Sequence, residues 1–150
     1  MEKKVYMKAA YLVIIHIAIA VSINQSCSKT VAKQAVDDRL VGSWQWIRTD
    51  GGIANHIHDT PASTGQEKTL KLNVNNTYSI TINNVISSQG SFTVQSKQCI
   101  HDGESKPYIE FNHDPGMMVE VVNSTFLKLS DEANDGTDSQ YQRAGVTEPG

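Results

Sequence analysis

The chain has 150 residues, of which 39% are hydrophobic and 19% charged, with a formal net charge of −3. That length is enough for one domain with a core of its own. The acidic balance argues against nucleic acid as a partner and offers no basic face to anionic lipid.

The N-terminus has the parts of a secretory signal in the required order. Lys3, Lys4 and Lys8 form a positive start, and Ala9 to Ile23 is apolar apart from His16 and Ser22. That run is shorter than the roughly 20 residues a membrane-spanning helix needs. Small Ser26 then precedes Cys27. Residues 1–26 therefore read as a signal peptide, 27–38 as a polar tether, 39–146 as the folded domain and 147–150 as a tail. Asn24-Gln25-Ser26-Cys27 resembles a bacterial lipobox, although Asn24 holds the place of the aliphatic residue and Ile23 stands one position early. The resemblance implies lipidation of Cys27; the alternative is ordinary cleavage near Ser26 with an unmodified thiol. Cleavage removes three lysines and one glutamate, leaving 10 basic and 15 acidic residues and a net charge of −5. The other cysteine, Cys99, reads as a small buried hydrophobe if Cys27 is acylated, and as a possible bridge partner if it is not.

After residue 38 the pattern is period-two alternation, the mark of strands with one buried and one wet face. Leu70, Leu72 and Val74 alternate with Lys71 and Asn73; Tyr78, Ile80 and Ile82 alternate with Ser79, Thr81 and Asn83. The spacing predicts eight strands, at 40–49, 67–74, 77–83, 85–95, 107–112, 117–122, 125–130 and 139–144. Asn75-Asn76 and Asn83-Asn84 read as tight hairpin links, because Asn tolerates positive φ. Gly90 reads as a bulge or bend inside the fourth strand. The fold class expected is all-β, an eight-stranded antiparallel up-and-down barrel, with a sandwich possible on strand count alone.

Gly42-Ser43-Trp44 on the first strand and Tyr141-Gln142-Arg143 on the last resemble the lipocalin pattern. That resemblance implies that Gly42, Trp44 and Arg143 close the barrel floor, with the guanidinium over the indole. A broader set is similar to the short lipocalin-like lipoproteins of Bacteroidetes. It comprises Leu40 to Trp46, Gly51-Gly52 before Thr60-Pro61, Thr69 to Tyr78, Leu127 to Asp131, and Asp135 to Arg143. The likeness implies a cell-envelope protein, lipid-anchored at the outer membrane, and no particular biochemical activity. The absence of an acidic run in Ser28-Lys29-Thr30 points to a periplasm-facing anchor.

The polar candidates are few. His56 and His58 stand at i and i+2 beside Asp59 and are weak metal-ligand candidates; His101 and His113 are further loop donors. No pair has a recognised ligand spacing, so no metal and no cofactor is expected. No nucleophile sits in a G-x-S-x-G elbow, and no carboxylate pair occupies an apolar setting, so an enzyme is not expected. The ligand-cavity candidates are Trp46, Leu70, Leu72, Tyr78, Ile80, Ile82, Phe92, Val94, Ile109, Phe111, Leu127 and Leu129, with Val74 on the same inward face. These residue types serve equally to line a cavity or to fill it. The long link 50–66 reads as a lid, with Ile53 and Ile57 touching the contents. Two functions follow: a monomeric, membrane-tethered binder of a small lipophilic molecule, or a protein-interaction lipoprotein with a filled barrel.

Overall fold

A computed structural model describes residues 36–145. The signal peptide, Cys27, most of the tether and the C-terminal tail lie outside the described residues. Nine strands form one antiparallel sheet: β1 (Gly42–Gly51), β2 (Ile57–Asp59), β3 (Lys68–Leu72), β4 (Thr77–Ile82), β5 (Val85–Gln98), β6 (Ser105–Phe111), β7 (Met117–Val122), β8 (Phe126–Ser130) and β9 (Thr137–Arg143). From β3 onward each strand pairs with the next, and β9 returns to β1 from Trp44↔Arg143 to Gly51↔Thr137. Eight strands thus close a barrel, which removes the free edges of an open sheet. β2 is the ninth strand. It pairs with β1 only at Thr49 to Gly51, along the edge that β3 leaves uncovered after Gln45.

The alternation read from the sequence explains the interior. Leu40, Trp44, Leu70, Leu72, Tyr78, Phe92, Val94, Ile109, Phe111, Val119, Leu127 and Leu129 form one buried cluster. Asn83 and Asn84, with φ 51° and 64°, make the two-residue link between β4 and β5. Positive φ at both positions gives a turn whose twist matches that of the flanking strands. The preceding link closes where Asn76, at φ 63°, donates its N–H to the Asn73 carbonyl at 3.0 Å.

The structure departs from the sequence reading in four places. First, the link 50–66, expected to be a lid, has regular structure of its own. It holds β2 and a one-turn helix, α1 (Pro61–Thr64), whose start is fixed reciprocally: Ser63 N–H donates to Thr60 Oγ1 at 3.1 Å and Thr60 N–H to Ser63 Oγ at 2.9 Å. Ile53 is 69% exposed, and the half-buried Ile57 packs against Gly52. Second, Val74 lies beyond β3 in a turn and is 83% exposed, because β3 ends at Leu72. Third, the bulge falls between the pairs Ile80↔Ser88 and Thr81↔Ile86, which leaves Ser87 as the extra residue, not Gly90. Gly90 is instead a close-approach site. A Cβ there would lie 2.0 Å from Asn112 Oδ1, which accepts the Ser91 N–H at 2.9 Å. Fourth, β5 runs on to Gln98, pairing with β4 up to Ser91 and with β6 from Phe92.

Candidate functional site

The two barrel ends differ in chemistry. At the end where β1 begins, the Arg143 guanidinium sits 4.2 Å from the Trp44 ring. Its Nη1 donates to the Val41 carbonyl at 2.9 Å, Nη2 to that of Arg39 at 2.6 Å and Nε to that of Ser124 at 2.6 Å. Trp44 Nε1 donates to the Leu40 carbonyl at 2.8 Å, which seats Leu40 as a buried plug. Gly42 has φ 148°, and a Cβ there would stand 2.2 Å from Arg143 Nη1. Only glycine lets the chain pass so close to the guanidinium. This end is filled by its own side chains and backbone.

The opposite end is hollow. A cavity of about 210 Å³ opens there, lined by Lys68, Thr69, Leu70, Ile80, Phe111, Asp114, Pro115, Met117, Leu129 and Tyr141. Every barrel strand except β1 and β5 contributes, together with the link between β6 and β7. The seam beside that link is short, with register pairs only at Tyr108↔Met118 and Ile109↔Met117. Apolar groups dominate the lining, and Lys68, Thr69, Asp114 and Tyr141 give it polarity. Lys68 shares the inward face of Leu70 and Leu72, and its Nζ lies 4.4 Å from the centre of the buried Trp46 ring. Asp114 accepts hydrogen bonds from the hydroxyls of Tyr78 and Ser88. Burial pushes the Tyr78 phenol up, and the bond to Asp114 adds to it; burial likewise raises the Tyr141 phenol.

Of the residues expected to line a cavity, Leu70, Ile80, Phe111 and Leu129 do so. Leu72, Phe92, Val94, Ile109 and Leu127 belong to the packed core, and Tyr78 packs on Phe111 at 4.6 Å between ring centres. Trp46 is buried beneath Lys68, with its Nε1 donating to Thr49 Oγ1 at 2.8 Å. Ile82 is half-buried at the rim, opposite Lys68. Lys68, Thr69, Asp114, Pro115, Met117 and Tyr141 also line the cavity and are not among the residues expected to do so. Period two does reach two of them: Lys68 lies two residues before Leu70, and Tyr141 two before Arg143.

The outer wall carries a separate polar cleft of about 410 Å³, with Asp50, Glu120, Asp131, Asp135 and Asp138 along it. Its charges are extensively paired. Lys128 meets Asp138 at 2.7 Å, and Lys106 meets Glu120 at 2.6 Å and Asp102 at 2.5 Å. The hydrogen bond from Lys106, helped by the Glu104 amide, holds the Asp102 carboxyl down at about 2. Burial alone would raise Glu120, but its hydrogen bonds from Lys106 and Ser130 win and lower it. His58 and His56 do not converge. His58 Nδ1 lies 2.9 Å from Asp50 Oδ1, whereas His56 Nδ1 lies 2.5 Å from the Ile53 carbonyl. Among the described residues no three His, Cys, Asp or Glu side chains gather as a metal site, and Cys99 is a buried thiol with no sulfur partner. No helix among them is long and apolar enough to cross a membrane.

Comparison with protein-family models, with curated proteins and with solved structures gives no match.

Proposed function

We propose that this chain is an exported binding protein that holds a small, mainly apolar molecule in the open half of a lipocalin-like barrel. The observation that carries this reading is the 210 Å³ cavity inside the sheet, walled by apolar side chains from several strands. It is small for a drug-sized ligand, which needs about 300 Å³ or more, yet exceeds the roughly 150 Å³ that accommodates benzene in an engineered cavity. The ligand is therefore of the size of a substituted benzene or a short branched chain. Steroids and long acyl chains are too large. The signal-like N-terminus and Cys27 support a monomer held by lipid at the periplasmic side of the outer membrane. Its role there is carriage, without a cofactor or bond-making chemistry.

A second reading, docking of a protein partner, is favoured by the tip of the β4–β5 hairpin, where Val85 is 69% and Ile86 58% exposed. Thermal denaturation of the full-length chain with small apolar compounds separates the two. Binding in the barrel raises the midpoint for the wild type, and Ile80→Trp, which fills the cavity, abolishes the rise. If no compound of this size moves the wild-type midpoint, the cavity reading fails.

A further inference from the structure

The cavity lining carries two opposite charges, Asp114 and Lys68, and they differ in their partners. Asp114 Oδ2 accepts hydrogen bonds from two hydroxyls, those of Tyr78 and Ser88. Lys68 has no carboxylate within 4.0 Å among the described residues; its contact is with the Trp46 ring. An ammonium over an indole face keeps its N–H donors available, because the ring attracts the charge without supplying a lone-pair acceptor comparable to a carboxylate. The lysine stands at the wide end of the cavity, paired across the sheet with Ile82, while the apolar walls lie deeper, at Leu70, Ile80 and Leu129. A positive group at the mouth and a greasy interior behind it match an amphiphile that enters tail first.

We infer that the barrel selects a small monocarboxylate, its apolar body among Leu70, Ile80 and Leu129 and its carboxylate on Lys68 Nζ. This rests on the cavity being a ligand site, as proposed above. A single lysine, with no arginine or second cation in the lining, suits one negative charge better than a phosphate dianion. The contact is a charge-assisted hydrogen bond formed partly out of water, so it discriminates between ligands of the same shape.

The test is calorimetric titration of the full-length chain with three probes of matched size: phenylacetate, phenylacetamide and phenethylamine. Phenylacetate is expected to bind about tenfold tighter than the amide, a difference that shrinks as salt rises. Lys68→Met should remove the preference, so that the variant binds phenylacetate and the amide equally, and Lys68→Arg should keep it. Equal affinity for acid and amide, a preference for the amine, or a preference that survives in Lys68→Met overturns the carboxylate assignment and leaves the cavity reading standing. Failure of all three probes to bind overturns both.

Discussion

Arg143 joins three stretches of chain that are far apart in sequence. It donates to the carbonyls of Arg39, Val41 and Ser124 while covering the Trp44 ring. Hydrogen bonds from a charged donor contribute about 1.5–3 kcal/mol each when buried, and partial exposure reduces that here. Arg143→Met is therefore expected to lower the unfolding free energy by roughly 3 kcal/mol in urea denaturation. Arg143→Lys should recover little, because an ammonium cannot present the same planar fork of donors. Asp102 gives a pH-dependent counterpart. Its carboxyl is held at about 2, chiefly by Lys106, against about 3.9 in an unfolded chain. A lowered folded value contributes stability that is complete above the unfolded value and is lost as pH falls toward the folded one. Stability should therefore drop between about pH 4 and pH 2, and Asp102→Asn should flatten that limb of the pH profile. At this scale the sequence was partly readable. Gly42, Trp44 and Arg143 stand out by type and position, but the three carbonyls that Arg143 engages are brought together only by barrel closure. Lys68 was hidden for another reason: a lysine at a strand start reads as solvent-facing until the strand's inward register is known.

β3, β4 and the Ser91–Gln95 part of β5 were readable because apolar and polar residues alternate along them, and the β4–β5 link because Asn83 and Asn84 tolerate positive φ. The two links of the β4–β5 turn are not equivalent. Asn83 Oδ1 accepts the Glu67 N–H at 2.8 Å and its Nδ2 donates to the Gly65 carbonyl at 3.2 Å, whereas Asn84 supplies only backbone shape. Asn84→Gly should be neutral or stabilise by a few tenths of a kcal/mol, since glycine takes φ 64° at less cost. Asn83→Gly should destabilise by about 1 kcal/mol through the lost side-chain bonds. Paired thermal melts of the two variants check the asymmetry. β2 and α1 escaped the sequence reading because three and four residues are too few for either period to register. β2 exists through its pairing with β1, a tertiary effect, and α1 through the Thr60–Ser63 cap.

The described residues form a barrel with one sealed end and one hollow end, and the proposed binding role rests on this polarity. Its origin lies in side-chain volume. Trp44, Leu40 and the Arg143 staple crowd the sealed end, while Leu70, Ile80, Met117 and Leu129 do not span the space at the other. Sequence could not separate a lined cavity from a filled core, because the same apolar residues serve both and only closure of the β9–β1 seam fixes the distances between them. The β6–β7 seam is short, and the link between its two strands is held at Asp114 by the hydroxyls of Tyr78 and Ser88. The most direct measurement is methyl-resolved NMR of the full-length chain during titration with phenylacetate. The expected result is saturable shifts at Leu70, Ile80, Met117 and Leu129, with Leu72 and Leu127 in the packed half barely moved. Shifts confined to Val85 and Ile86, or none at all, would contradict a ligand site inside the barrel.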